Sequence, residues 1–301
     1  MEAMRPDSPQ RIAIIGVGRL GSVLGCALQR AGYPVVAYWN RTDESQSRAR
    51  AVLGGFRPTR SLDETAAEGD IVILTVPDDA IPSVDASIGW RIGQIAVHCS
   101  GAVPAAALVN ASSRGGRAAG FHPLQTFADL DTGLRNLPGS TVGIEADDDT
   151  WPVLSRMADA LETTPLRLHA EDRAIYHLGS VIVSNFTIGL MTLASELWAG
   201  IGLDRDQASR ALAPLLAGTV RNVEALGAWH ALTGPVVRGD VGTVIRHRAA
   251  LAGQPAALEI YDAVSRQLVR VAIDQGKITP SQAAALLETL ANVVTVVNVV
   301  T

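Results

Sequence analysis

The chain has 301 residues, 48% of them apolar and 18% charged, and a formal net charge of −5. That length supplies two compact domains with substantial cores, and interspersed charge of negative sign excludes the basic footprint of a nucleic-acid binder. Two cysteines, Cys26 and Cys99, exclude a disulfide framework and a zinc set, while the polar stretch Met1 to Gln10 has no signal-peptide core, so a flexible N-terminus and a cytoplasmic protein are expected.

The first apolar run, Arg11 to Ile15, leads into Gly16, Val17, Gly18, Arg19, Leu20 and Gly21, and a helical pattern follows from Leu20 to Ala31. A GxGxxG fingerprint in that strand-to-helix setting predicts a dinucleotide site. Gly16 permits the tight turn, Gly18 lets the backbone approach a pyrophosphate, and Gly21 lets helix and strand pack closely; the phosphates then rest on a helix N-terminus.

The second strand, Pro34 to Trp39, ends in Asn40, Arg41 and Thr42 instead of the acid that would hydrogen-bond a ribose 2′-hydroxyl. An acid there would repel a 2′-phosphate. Arg41 meets one with paired charge-assisted bonds, and Asn40 and Thr42 offer further donors, which predicts NADP (NADPH) over NAD. Thr42 also suits a helix cap.

Short apolar runs continue at Ile71 to Val76, Ile95 to His98, Ala118 to Phe121 and Thr141 to Glu145, alternating with helical patterns. The alternation predicts an α/β class, a doubly wound, mainly parallel Rossmann sheet. A helix from about Thr150 to Glu162 and a short strand near Pro165 to Leu168 close it. Around Ala170 the pattern turns helical throughout, with breaks at Gly200 to Gly202, Thr233 to Pro235, Gly253 to Pro255 and Gly276 to Pro280. A dinucleotide-binding domain over 11–169 and a helical substrate and dimerisation domain over 170–301 are expected.

Ala174 to Ser195 carries no Asp, Glu, Lys or Arg. His177, Ser180, Ser184 and Asn185 interrupt it, so a helix buried between domains or subunits is expected in place of a membrane span. The Val-rich end, Val293 to Val300, is expected to pack on a partner helix.

Ligands of open α/β sheets collect beyond the carboxyl ends of the strands. Besides the end of the second strand, three places there carry polar groups. Val76, Pro77 and Asp78 form a proline-stiffened turn suited to the cofactor's nicotinamide side, though Asp78 also suits a helix cap. His98, Cys99, Ser100 and Gly101 end the next strand, where Gly101 admits a ligand and Ser100 offers a hydroxyl. His122 follows Gly120 and Phe121 on the strand after that. His98, His122 and Asp78 lack metal-ligand spacing, and no metal is expected.

His177, Ser180 and Ser184 recur on one face of the long helix, with Asn185 beside them. This polar stripe is either a second wall of the cleft or a set of helix-to-helix hydrogen bonds. Further on, Leu232 to Thr243 reads LTGPVVRGDVGT. Asp240 is a natural N-cap there, and Arg238 beside a helix N-terminus suits a substrate carboxylate, with Asp240 and Thr243 adjoining it.

Together the GVGRLG opening, HCSG, GFHPLQTF, the YHLGS helix start and LTGPVVRGDVGT resemble a bacterial Rossmann-like family whose helical C-terminal domain is of unknown function. The resemblance covers almost the whole chain. More distantly, the arrangement is similar to 6-phosphogluconate dehydrogenase-like proteins, including β-hydroxyacid dehydrogenases, ketopantoate reductases and pyrroline-5-carboxylate reductases. That resemblance implies a homodimer and NADP-linked reduction of a small oxo acid, with imine reduction of the pyrroline-5-carboxylate type or a non-catalytic NADP-binding sensor as alternatives. In those relatives a helix after the Rossmann domain supplies a catalytic lysine with an asparagine one or two turns on, and a serine ends the fourth strand. Ser100 falls on the serine, Asn185 on the farther asparagine, and His177 on the lysine, while Val181 fills the nearer asparagine slot. The implied catalytic set is His177, Ser100 and Asn185. His177 would donate a proton, since a histidine pKa of about 6.5 suits a general acid near neutral pH. Ser100, Asn185 and His122 would orient the substrate oxygen and Arg238 would hold a carboxylate.

Overall fold

The computed structural model describes residues 10–53 and 57–292. Contacts divide the chain into two units, Met1–Phe186 and Thr187–Thr301. The division falls beyond the change of pattern at Ala170 because the first long helix of the helical part anchors to the sheet through Arg173 and Tyr176.

The first unit is built on one eight-stranded sheet of order β3-β2-β1-β4-β5-β6-β7-β8. Its central strands β1 (Ile12–Ile15), β4 (Ile71–Leu74) and β5 (Ile95–His98) are buried at every residue. Runs of β-branched and apolar residues without alternation are what a parallel sheet covered on both faces requires. β2 (Val35–Trp39) and β3 (Arg57–Pro58) lie to one side of β1. β3 is only two residues long and begins with a charge, so no period marked it. On the other side, β6 (Arg117–Pro123) runs parallel to β5, and β7 (Thr141–Glu145) reverses against β6, with Phe121 opposite Ile144. β8 (Thr164–Arg167) pairs parallel with β7.

Helices α1 (Arg19–Arg30), α2 (Asp43–Val52), α3 (Leu62–Glu68), α4 (Ile81–Ala86), α5 (Val109–Ser113), α6 (Leu130–Asn136) and α7 (Trp151–Ala160) connect the strands. Side chains of β1 alternate between two cores: Ile12 and Ile14 pack with Val23, Leu24 and Leu28 of α1, and Ala13 and Ile15 with Ile81 and Leu108. Burial of such a side chain stabilises by about 1.5–3 kcal/mol. The unit ends with α8 (Arg173–Val183), whose C-cap Ser184 precedes α9 (Asn185–Ala199).

The second unit holds α10 (Arg205–Leu226), α11 (Val241–Ala250), α12 (Pro255–Asp274) and α13 (Pro280–Ala291). All four glycine- or proline-marked breaks separate helices as the sequence implies, and Gly227, at φ 75°, adds a stop after α10. Val236, Val244, Val269, Leu286 and Leu290 form its core. The buried Arg248 pairs both its Nε and Nη2 with Asp262, at 2.9 and 3.0 Å, and also donates to the carbonyls of Thr289 and Asn292 at the end of α13.

The helical segment Ala170–Ala199 has a mean hydropathy of 1.5 and is long and apolar enough to cross a membrane by length and composition. The sequence predicts it buried, but in the single chain Ile175 is 67% exposed, Val183 75% and Ile188 66%. The Val293 to Val300 end and residues 1–9 lie outside the described residues.

Candidate active site

At the carboxyl end of β1 the chain turns through Gly16 at φ 93°, where a Cβ would lie 2.8 Å from Val76 Cγ1 and 3.0 Å from the Thr75 carbonyl oxygen. Gly21 is held equally tightly, since a Cβ there would meet Thr75 Oγ1 at 2.5 Å and the Gly16 carbonyl at 2.8 Å. Gly18 is the opposite case: nothing lies within 4 Å of a Cβ built on it. Its Cα instead borders a cavity of about 1140 Å³ that Gly16, Val17 and Arg19 also line. The first and third glycines thus serve packing, and the second leaves room for a ligand against the main chain. This cradle fits a dinucleotide pyrophosphate at the N-terminus of α1.

The same cavity reaches Asn40, Arg41 and Thr42 at one end and Val76 and Pro77 at the other. Leu20 packs on the core and does not line it; at the proline turn Asp79, not Asp78, faces the cavity. Asn40 is buried and spends its amide within the protein, with Nδ2 donating to the carbonyls of Ser45 at 3.0 Å and Val17 at 3.4 Å. Thr42 caps α2, its Oγ1 accepting from the Ser45 amide at 3.2 Å. The expected donors beside Arg41 are therefore occupied, and the exposed Arg41 guanidinium is the group of the three left for a phosphate. Arg48, on α2, lines the cavity too, with Nη1 on Glu44 at 2.5 Å. Sequence reading missed it because its place depends on the phase of α2.

Beyond β4 and β5 the polar groups meet. Ser100 Oγ donates to Asp78 Oδ2 at 2.8 Å and accepts from the amides of Ala102 at 3.2 Å and Val103 at 3.0 Å. One donor and both acceptor positions are taken, so this hydroxyl ties the loop after β5 to the turn at Asp78. Gly101 opens the space beside it: a Cβ there would stand 2.7 Å from His177 Cδ2 and 3.1 Å from His122 Nε2. The two imidazoles converge over this glycine with ring centroids 6.3 Å apart and planes at 74°. Burial lowers the pKa of His122 to about 4, with His177 and Arg173 pushing the same way.

Asn185 is exposed at the start of α9, outside this cluster. The stripe expected to need partners is satisfied locally where Ser180 Oγ donates to the His177 carbonyl at 2.7 Å. His98 is fully buried, and burial together with the neighbouring Arg173 holds its pKa down to about 4. It does not reach the cleft.

Residues 3–123 match the Rossmann-like domain family, and residues 140–268 match a domain of unknown function, DUF2520. The chain thus joins a segment matching the Rossmann-like model to one matching DUF2520. A search of the curated proteins finds no match. Among solved structures, a candidate NADP oxidoreductase from Bacteroides fragilis is 26% identical, with a TM-score of 0.68 over 87% of this chain and 98% of its own. A Thermotoga maritima protein is 24% identical with a TM-score of 0.70, covering 88% of this chain and 99% of its own. A reductive aminase from Aspergillus terreus, in complex with NADPH and ethyl levulinate, shares the fold at 16% identity, with a TM-score of 0.63 over 93% and 99%.

Three residues missed by sequence reading organise these strand ends. Arg173, 1% exposed, pairs through Nε with Glu145, donates from Nη1 to the Ser100 carbonyl at 2.7 Å, and lies under Gly120. Tyr176, one residue before His177, bonds His122 Nδ1 at 2.9 Å. Glu145 also accepts from the Ala105 amide at 3.0 Å. An arginine opening an otherwise uncharged helix was the available signal, since burial demands a carboxylate partner for it.

Within the DUF2520 domain's second-unit part, Asp240 is the N-cap of α11, accepting from the Thr243 amide at 2.9 Å and its hydroxyl at 2.7 Å. Those Thr243 bonds hold the Asp240 carboxyl below its ordinary pKa. Both residues are thus spent on the cap and not on a ligand. Arg238 is exposed just before it and keeps its guanidinium available. Among the described residues no cluster of His, Cys, Asp and Glu could hold a metal ion.

Proposed function

We propose that the protein is an NADP-dependent oxidoreductase that reduces the carbonyl of a small oxo acid. The observation carrying this reading is the convergence of His122 and His177 over Gly101, at strand ends that adjoin a dinucleotide cradle. Gly16, Gly18 and Arg19 would hold the pyrophosphate and Arg41 the 2′-phosphate, with Val76 and Pro77 against the nicotinamide. Bound there, the cofactor would supply the hydride. His177, as imidazolium, gives its Nε2 or Nδ1 proton to the oxygen as the carbonyl becomes an alcohol, and His122 steadies that oxygen. Such a proton donor contributes about 10²–10⁴-fold.

A second reading, reduction of an imine, is favoured by the Asp78 carboxylate beside Ser100 and by the pairing of Arg173 with Glu145, which leaves no free cation at these strand ends among the described residues. A carboxylate there suits a protonated imine better than an acid. Assay of NADPH oxidation against a panel of oxo acids, cyclic imines and aldehydes tests both readings. Turnover of oxo acids alone upholds the first, and turnover of imines alone transfers the reading to the second. Tight NADPH binding with no turnover by any member sinks both and leaves a sensor.

We further propose a homodimer, in which a second copy covers the apolar face that α8 and α9 leave exposed at Ile175, Ile182 and Phe186. Sedimentation at micromolar concentration tests it, and a monomer overturns it.

A further inference from the structure

The tyrosine beside His177 has no part in the chemistry above, yet its hydroxyl makes the short hydrogen bond to His122. Tyr176 lies against Gly143 of β7, where a Cβ would come within 2.7 Å of its Oη, so the absence of a side chain on Gly143 is what lets the phenol reach His122. Gly143 and His122 face each other across the antiparallel β6–β7 pair. That pairing sets the height of the phenol relative to the imidazole.

Which atom carries the proton follows from the acceptors within reach of the phenol. Burial pushes the Tyr176 pKa up, so the phenol keeps its proton. The phenol proton then has two places to go: His122 Nδ1 at 2.9 Å or the His122 carbonyl oxygen at 3.5 Å. A proton on Nδ1 would make the phenol the acceptor there and leave its own proton with the longer, weaker acceptor. The favoured arrangement has the phenol donating to an unprotonated Nδ1. His122 is then neutral with its proton on Nε2, the nitrogen that overlooks Gly101 next to His177.

We infer that Tyr176 is a positioning residue that fixes His122 in the Nε2–H tautomer, making it a permanent neutral donor into the cleft while His177 is left to exchange the proton. The division of labour rests on the reductase reading proposed above. The tautomer itself does not. With His122 Nε2–H directed at the substrate heteroatom and Ser100 committed to Asp78, the two groups offered to that atom are both imidazoles. One is preorganised to donate a hydrogen bond, and the other transfers a proton.

Long-range ¹H–¹⁵N correlation spectra of the full chain at pH 7.5, with the His122 signals assigned by their loss in His122→Gln, read the tautomer without any turnover. Wild type is expected to show a pyridine-type Nδ1 and a protonated Nε2 for His122, and Tyr176→Phe to show a tautomer mixture or the Nδ1–H form. A wild-type His122 protonated on Nδ1 overturns the inference even if Tyr176→Phe does not fold, and so does a folded Tyr176→Phe that keeps pure Nε2–H. On a substrate that is turned over, Tyr176→Phe is expected to lower kcat about tenfold with little change in the KM for NADPH. Failure of every substrate in the panel would count against the reductase reading and leave the spectroscopic result standing.

Discussion

Arg173 lies so close beneath Gly120 that a methyl group on that glycine would sit 1.7 Å from the guanidinium Nη2. Nη2 is itself buried without an acceptor, pressed against the strand, while the rest of the guanidinium joins Glu145 to the carbonyl of Ser100. A charge brought in from α8 thereby fixes the ends of β5 and β7, from which the cleft residues hang. Gly120→Ala must expel this group and leave Glu145 buried with its partner displaced. A loss of at least about 3 kcal/mol of unfolding free energy is expected, read from the urea midpoint. A variant as stable as wild type would mean that α8 is not anchored by this arginine.

Gly18→Ala should behave in the reverse way. Nothing stands within 4 Å of the added Cβ, so stability should stay within about 1 kcal/mol of wild type. The methyl group instead enters the space assigned to the pyrophosphate. Titration calorimetry with NADPH should show binding weakened at least about tenfold, since one lost backbone contact to a charged group is worth about 1.5–3 kcal/mol. Undiminished affinity would place the nucleotide elsewhere.

Arg41 carries the choice between cofactors. Arg41→Ala is expected to weaken NADPH by about 10- to 100-fold and to leave NADH within about threefold, because the guanidinium meets only the additional phosphate. Arg48→Ala should repeat the effect more weakly, its guanidinium being shared with Glu44. Equal losses for both nucleotides would show that Arg41 touches the common part of the molecule.

The glycine turn and the strand ends were legible because both depend on local pattern: a β-branched run, a turn that only glycine permits, and polar residues where a parallel strand must stop. Helix breaks in the second unit were readable from glycine and proline for the same reason. The supporting shell was not. Arg173, Glu145 and Tyr176 act across distances of 28 to 73 positions in the chain, and their significance rests on the β6–β7 reversal, which no local period encodes. Ser100 was legible as a residue at the site but not as a saturated one, since its three partners lie in the turn at Asp78 and in its own loop. Family resemblance placed it in the catalytic role, and its hydrogen bonds show it also tying the loop to Asp78.

Ser100→Ala separates those two roles. If the hydroxyl only ties the loop after β5 to Asp78, its loss should cost about 1–3 kcal/mol of stability and reduce kcat by less than about tenfold. His177→Gln should lower kcat by 10²–10⁴-fold with stability near wild type, the scale of a lost general acid. Comparable losses of kcat in both variants would return Ser100 to the chemistry.

His98 and His122 make the stability of the protein depend on pH in a definite window. Both have pKa values near 4 in the folded chain, chiefly because burial disfavours their charged forms, against about 6.5 when unfolded. Below pH 6.5 the unfolded chain therefore binds protons that the folded chain refuses, and stability must fall as pH is lowered from about 6.5 to about 4. A shift of that size corresponds to about 3 kcal/mol for each histidine across the window. Above pH 6.5 neither group titrates in either state, and the curve should be flat with respect to them. Urea midpoints measured from pH 7.5 to 4.5 should decline along this course, and His122→Asn should remove part of the slope while leaving the remainder to His98. An unchanged slope in that variant would mean that the imidazole of His122 is solvated enough to titrate normally, and the arrangement over Gly101 would then be more open than the geometry implies.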